Sequence, residues 1–197
     1  DANALATTAL GNTAIGNLAL SALNNNTADY NTAVGNRAGD AILAGANNTC
    51  VGAWALSAAA VNDNTALGWY ALKDFTGSDA TAVGSGAAQN AGSQADITAV
   101  GYQSLHRATS GNSNTAIGAY CLDHTIDGTN NTGVGLMALS ADCVSNNVGV
   151  GYNSLAVFTG SNATAVGSGA ADSATTADGI TAVGISALKA MTTGEGN

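Results

Sequence analysis

The chain of 197 residues contains no proline, and only 9% of its residues are charged and 5% aromatic. Disordered chains are typically rich in proline and charge, so this composition does not indicate disorder. Glutamate occurs once, as Glu195, among 26 glycines, whereas exposed helices favour glutamate and lysine and contain little glycine. Glycine does not recur at every third position, which excludes a collagen triple helix. The composition instead indicates a repetitive chain of small residues.

Basic residues are also scarce. Arg37, Lys73, Arg107 and Lys189 stand against 13 acidic residues, which gives a net charge of −9. The four lie far apart in the sequence and form no basic stripe, so we expect no nucleic-acid binding. No apolar run approaches the roughly 20 residues of a membrane helix, so we expect no membrane insertion in this segment.

The three cysteines, Cys50, Cys121 and Cys143, form no CxxC pair. Cys50 replaces an alanine of the repeat described next, and Cys121 also falls where small residues recur. We therefore expect small buried side chains rather than a disulfide framework.

A short motif, Asn-Thr-Ala-Val-Gly or a close variant, recurs through almost the whole chain. Its closing residue, called here the anchor glycine, returns at intervals of sixteen or seventeen positions, with one longer first interval, at Gly16, Gly35, Gly52, Gly68, Gly84, Gly101, Gly118, Gly135, Gly151, Gly167 and Gly184. The long interval holds two extra residues near Asn24 to Tyr30, where we expect a bulging loop. Residues 1–197 are predicted to be a single repeat array, part of a longer fibre protein.

A second, longer period indicates duplication of a five-unit block. The segment from Phe75 to Ala88 recurs, almost unchanged, from Phe158 to Ala171. The same offset carries each anchor glycine from Gly35 to Gly101 onto a later anchor glycine.

The residues before each anchor glycine predict a short β-strand. Val, Ile or Leu stands one residue before the anchor, and Thr stands three before it except at Val148, with a small residue between them. Alternate side chains of a strand point to opposite faces, and β-branched residues favour strands. We expect Thr and Val on one face and Ala on the other. A surface as small as the Ala face suits the close approach of another chain.

Turns are predicted on both sides of the strand. Asn or Asp at the fourth and fifth positions before the anchor tolerates left-handed backbone, and the anchor glycine permits a positive φ. A small residue followed by Leu, as in Ala55-Leu56, predicts a second short strand or a tight turn. These parts describe one coil, so the fold class predicted is all-β, a parallel β-solenoid (β-roll) of about eleven 16–17-residue coils with stacked Asn side chains.

Each coil supplies about one Val or Ile and one Leu as large apolar side chains, which is a thin core for a single chain. We therefore expect a side-by-side homotrimer that forms a rod. Asn31-Thr-Ala-Val-Gly35 and Asn114-Thr-Ala-Ile-Gly118 resemble the head repeats of trimeric autotransporter adhesins (YadA-like heads) and similar repeats in phage and viral tail fibres. The resemblance implies one coil of a left-handed β-roll per repeat and three chains packed side by side. The adhesin repeat is commonly nearer fourteen residues.

No motif in the sequence predicts catalysis, and we expect no enzyme. His106 and His124 lie in variable loops without Cys or Glu at ligand spacing, and we interpret them as surface polar residues. The Gly-Ser-Gly at 84–86 lacks the lysine of a phosphate loop. Three aspartates are interpreted as corner residues rather than calcium ligands: Asp79, Asp96 and Asp178. No catalytic residue, metal ligand or cofactor is predicted.

Aromatic residues cluster just after the anchor glycines, at Trp54, Trp69, Tyr70, Tyr102, Tyr120 and Tyr152. They are candidate contacts with a glycan, because aromatic faces stack on sugars, or with a neighbouring chain, which we favour.

The function predicted is that of a structural shaft or head segment of an extracellular fibre, on a virion or a cell surface. Such a fibre supports attachment to a host through a glycan or protein receptor. The alternative is an ice-binding or carbohydrate-binding β-solenoid, because some ice-binding proteins present regular Thr on a flat face. The pairing of Thr with Val on the same face indicates that this Thr is at least partly buried, which argues against ice binding.

Overall fold

The computed structural model describes residues 10–23 and 28–193. Within those ranges it contains eleven strands of three residues each and no helix. In chain order the strands are β1 (Thr13–Ile15), β2 (Thr32–Val34), β3 (Thr49–Val51), β4 (Thr65–Leu67), β5 (Thr81–Val83), β6 (Thr98–Val100), β7 (Thr115–Ile117), β8 (Thr132–Val134), β9 (Val148–Val150), β10 (Thr164–Val166) and β11 (Thr181–Val183).

All eleven strands belong to one parallel sheet whose spatial order is the order in the chain. Thr13 pairs with Thr32 and Thr164 pairs with Thr181, so equivalent residues stack even across the long first interval. The chain returns to the same side of the molecule after every repeat, which confirms the predicted parallel β-solenoid. The bulge expected near Asn24 falls partly on residues 24–27, which lie outside the described ranges.

The two strand faces are divided as predicted, but the Ala face is the interior. Ala33, Ala66 and Ala99 are fully buried, whereas the Thr and Val or Leu on either side of them are exposed or half-buried. The expectation that the Ala face receives another chain is therefore wrong. The reason is the narrow coil: a Cβ added at Gly149, in the Ala column, would lie 3.0 Å from the Leu139 Cγ. Only a small side chain fits between the strand and the leucine of the preceding coil.

The small-Leu pair after the anchor forms the predicted turn, not a second strand. The Ala55 N–H donates to the Gly52 carbonyl at 3.3 Å, and the Leu56 N–H donates to the Ala71 carbonyl of the next coil at 2.9 Å. Leu56 has a φ of 49°, in the left-handed region that costs a non-glycine residue about 1–2 kcal/mol. Complete burial of the leucine side chain offsets this cost, since it contributes about 1.5–3 kcal/mol.

Asparagine at the opposite corner is buried and joins successive coils. The Asn131 N–H donates to the Asn114 Oδ1 at 2.9 Å, and the Asn131 Oδ1 accepts from the Asn147 N–H at 3.0 Å. The predicted Asn ladder therefore runs mainly between side chains and backbone. A direct bond between amide groups joins the Asn48 Nδ2 to the Asn31 Oδ1 at 3.0 Å.

The duplicated Phe-Thr-Gly element is a local packing unit. Phe75 and Phe158 are among the largest fully buried side chains. A Cβ added at Gly77 or at Gly160 would lie 2.8 Å from the Cζ of the preceding Phe ring. In both copies of the block the ring therefore occupies part of the space that a side chain at the glycine would need.

Candidate functional site

The six aromatic residues singled out in the sequence lie along one edge of the solenoid, called here the aromatic edge. Each occupies the first or second position after an anchor glycine, and backbone bonds stack these positions from coil to coil. The Trp54 N–H donates to the Asn36 carbonyl and the Tyr120 N–H to the Tyr102 carbonyl, both at 2.9 Å. Four of the six are exposed and two are half-buried.

One end of the aromatic edge is a cluster of rings and cations. Trp69 stacks on Tyr70 with centroids 4.0 Å apart, and Trp54 meets Tyr70 edge-on at 6.3 Å. The Arg37 guanidinium lies 4.5 Å from the Trp54 ring centroid, and the Lys73 ammonium lies 5.6 Å from that of Tyr70. Both distances fall within the range of cation–π attraction.

A second cluster contains Tyr102 and Tyr120, whose rings meet edge-on with centroids 5.2 Å apart. Ser85 and Gly86 occupy the equivalent positions in the coil between the two clusters, so the edge is interrupted there. The aromatic edge stays a predicted contact surface for a glycan or a neighbouring chain.

Beside the second cluster the structure brings together His106, Asp123 and His124. The His106 Nδ1 lies 3.5 Å from the Asp123 Oδ1, and the His124 Nδ1 lies 3.3 Å from Oδ2 and 3.0 Å from the Ser140 carbonyl. Asp123 is only 8% exposed, and its Oδ1 makes no hydrogen bond within the described part of the chain.

The two histidines were predicted to be surface polar residues of variable loops, and the carboxylate between them was not predicted. The repeat could have predicted that His106 and Asp123 lie close together. His106 follows Gly101, and Asp123 follows Gly118, at the same distance along the chain, so the two residues stack in adjacent coils.

An open groove of about 550 Å³ lies against this cluster. Three successive coils supply its walls, and the lining residues are Tyr120, Asp123, His124, Leu136, Met137, Ser140, Ala141, Asp142 and Ala156. Its walls are mainly apolar and its two acidic residues are Asp123 and Asp142.

Residues 10–23 and 28–193 contain no group of three or more His, Cys, Asp or Glu side chains arranged to hold a metal ion. Asp178 acts at a corner, where its Oδ1 accepts from the Ser161 N–H at 2.9 Å. The three cysteines are buried and free, as predicted for small core residues. Burial raises the pKa of Cys50 and of Cys121 to about 12 and that of Cys143 to about 11, so none is an activated nucleophile.

A continuous surface runs along the outer face of the sheet. The column just before the anchor glycines, called here the outer strip, consists of Ile15, Val34, Val51, Leu67, Val83, Val100, Ile117, Val134, Val150, Val166 and Val183. All lie in the described ranges and none is buried; Ile15 is 59% and Val183 69% exposed. The threonines that share this face are likewise exposed or half-buried. Monomeric soluble proteins rarely expose a long apolar surface of this kind.

Comparison with models of protein families, with curated proteins and with solved structures finds no match for this chain. Within the described ranges, no helix is long and apolar enough to span a lipid bilayer.

Proposed function

We propose that the chain is a non-enzymatic structural segment of an extracellular fibre, as in a phage or viral tail fibre or a bacterial surface adhesin. The observation that carries this proposal is the outer strip. Eleven apolar side chains stand in register on a solenoid whose own core does not enclose them. At about 4.8 Å per coil the strip is roughly 50 Å long, which suits lateral association of rods.

The partner proposed for this strip is two further copies of the same chain. Because every coil presents the same kind of side chain at the same position, copies aligned side by side would match along their whole length. Three copies around one axis bury all three strips with closed symmetry, which leaves no outer strip exposed to bind further chains. The resulting rod holds an attachment tip away from its base.

The oligomeric state tests the proposal directly. In multi-angle light scattering, the intact chain should give three times the mass of a single 19.0 kDa chain. Ile117→Lys places a charge on the outer strip and should convert the trimer to monomers that still fold, because Ile117 is 41% exposed in one chain. The control, Ser110→Lys, adds the same charge at an exposed residue outside the strip and should leave the trimer intact. A monomeric parent chain at micromolar concentration contradicts the proposal.

The location is tested on the source material. Antibodies raised against the chain should label filaments outside the cell or on virions in immunogold electron microscopy. Labelling confined to the cell interior contradicts an extracellular fibre.

Ice binding is the second candidate function, and the outward position of the Thr column favours it. Thr13, Thr49 and Thr65 are exposed, and ladder spacing separates the column's side chains by about 4.8 Å. The partial burial that argued against this function is present at Thr98 and Thr115 but absent at those three. Thermal hysteresis of the purified chain would favour ice binding, and its absence at high concentration would exclude it.

A further inference from the structure

We propose that the groove beside the aromatic edge binds an organic ammonium group on an apolar stem, as in an alkylamine or a lysine side chain. The proposal goes beyond the fibre function and assigns a ligand class to a site that the repeat alone does not require.

One wall of the groove includes a largely buried carboxylate, Asp123, which has no lysine or arginine partner among the described residues. The Asp123 side chain is 11% exposed, and its Oδ1 is itself buried and faces the His106 imidazole. Its nearest ionisable partners are the imidazoles of His106 and His124, at 3.5 and 3.3 Å. A carboxylate can accept several hydrogen bonds, and no lysine or arginine of the described residues pairs with this one, so its charge is left for a cation in the groove.

The chain's own cations do not fill that role. Arg37 pairs with Asp40, Lys73 with Asp74 and Lys189 with Asp172, at 3.6, 2.8 and 3.6 Å. Arg107 is not among the residues that line the groove.

A second carboxylate adds to the negative charge of the groove. The Asp142 Oδ1 accepts from the Ile126 N–H at 2.9 Å, which fixes the side chain in place. Two carboxylates in a groove without a lysine or arginine attract a cation, and its mainly apolar walls strengthen that attraction.

The walls suit the rest of such a ligand. The Tyr120 ring can face an ammonium group, and Leu136 and Met137 offer half-exposed apolar surface to its stem. The same edge of the chain already places cations over rings, with Lys73 over Tyr70 and Arg37 over Trp54. The groove likewise contains a ring, that of Tyr120, but it supplies a carboxylate instead of a cation. The cation would therefore come from the ligand.

The groove does not depend on the proposed trimer. The coils that contain Gly118, Gly135 and Gly151 build it within one chain. A monomeric mass would therefore contradict the fibre proposal and leave this site standing, whereas absent ligand binding would contradict this site alone.

The test titrates the intact chain with pentylammonium and with its neutral analogue 1-pentanol, followed by calorimetry and by NMR. Pentylammonium should bind with a Kd of about 1 mM or tighter, and pentanol at least about tenfold more weakly. N-acetyl-lysine methylamide is the second cationic ligand. Comparable binding of it identifies a protein side chain as the natural source, and much weaker binding identifies a free amine. Amide shifts should centre on Tyr120, Asp123 and Met137.

Two matched variants locate the site. Asp123→Asn keeps the shape but removes the charge, and should weaken pentylammonium binding about tenfold or more. Asp79→Asn removes one charge at an exposed corner where the duplicated block has Asn162, and should change binding less than about twofold. Because Asp123→Asn can disturb the fold, Tyr120→Leu is a third variant. It places at this position the residue that Leu18 supplies in the first coil, and should weaken binding several-fold.

Three results would overturn the proposal: no saturable pentylammonium binding up to about 10 mM, equal binding of pentanol, or a folded Asp123→Asn variant with unchanged affinity. Preferential binding of a neutral methyl glycoside over pentylammonium would also overturn it and identify a sugar site instead.

Discussion

At the scale of the residue, the anchor glycine meets two separate requirements. Its φ lies between 127° and 139° in every coil, a region that residues other than glycine rarely adopt. In addition, a Cβ on Gly135 would come within 2.5 Å of the Gly151 carbonyl oxygen in the next coil. Gly184 has the same backbone but no following coil in the described residues, and its added Cβ would meet nothing closer than 3.9 Å.

This difference allows the two requirements to be measured separately. Gly135→Ala combines backbone strain with a clash against the next coil, and should lower the free energy of unfolding by about 3–5 kcal/mol. Gly184→Ala carries the backbone strain alone and should lower it by about 1–2 kcal/mol. Urea unfolding followed by circular dichroism measures both. Equal losses in the two variants would show that contact between coils does not constrain the glycine.

The buried thiols make stability depend on alkaline pH. Burial raises the pKa of Cys50 from 9.0 to about 12, so the folded chain keeps a proton that the unfolded chain loses above pH 9. The stabilisation is complete below pH 9 and is lost as the pH rises toward 12. Each such thiol should contribute a slope of about 1.4 kcal/mol per pH unit in that window.

Unfolding in urea at a series of pH values from about 8 to 11 measures this slope. Cys50→Ala installs the usual residue of its column and should remove one thiol's share of it. An unchanged slope in this variant would contradict the assignment. The native thiols should also react slowly with a thiol reagent at about pH 8 and rapidly after denaturation.

At the scale of the element, hydrogen bonds join equivalent residues of successive coils, as the Asn column shows. Asn131 is fully buried, accepts from the Asn147 N–H and donates through its Nδ2 to the Val144 carbonyl at 2.9 Å. Asn131→Ala leaves the buried Asn147 N–H and the partly buried Val144 carbonyl without their partner, and we expect a loss of about 2–4 kcal/mol in the free energy of unfolding. Asn36 also bonds an equivalent Asn, through its Nδ2 to the Asn17 Oδ1, but it is exposed.

Asn36→Ala is therefore the control, and its free energy of unfolding should change by less than about 0.5 kcal/mol. Similar losses in the free energy of unfolding of both variants would show that burial does not increase the contribution of these Asn hydrogen bonds to stability.

The strands and both corners could be predicted because they depend on local spacing. Thr and Val two residues apart define a shared face, and Asn130 has the left-handed φ of 56° expected at its corner. Which face lies inside could not be predicted, since alternation is the same for both. The answer depends on the width of the coil, which leaves room beside Leu139 for Gly149 but not for a valine.

The candidate site was predicted less well than the fold. The aromatic edge follows from the repeat, because Trp54 and Tyr120 hold the same position in their coils. Besides Tyr120, Leu136 and Met137, the groove is lined by side chains of the variable loops, whose identity changes from coil to coil. His106 and Asp123 could have been aligned from their shared position after the anchor glycine, but the distance between their side chains comes from the folded coils.

At the scale of the whole molecule, the five-unit duplication makes the solenoid divisible. Deletion of the segment 85–167 removes one complete block and joins Gly84 to Ser168, whose surroundings match those of Ser85. The shortened chain keeps the anchor glycines from Gly16 to Gly84 together with Gly184. This chain should fold, with a rod shorter by about 24 Å in small-angle scattering.

A deletion that breaks the period is the matched control. Removal of the segment 85–162 leaves too few residues between Gly84 and Gly167 to complete a coil. It should fold poorly, with a lower melting temperature than the in-register deletion. If both deletions fold equally well, the stacking of equivalent residues is not what holds the coils together.

The path of the chain around the rod also determines how the molecule responds to tension. Successive coils are joined along the axis by backbone hydrogen bonds, such as that from the Gly118 N–H to the Val100 carbonyl, while the covalent chain runs across it. A pull on the two ends therefore separates coils one after another. Each released coil lengthens from about 4.8 Å to about 55 Å. In the proposed fibre, such chains would lengthen roughly tenfold as their coils separate, so they would absorb a sudden load.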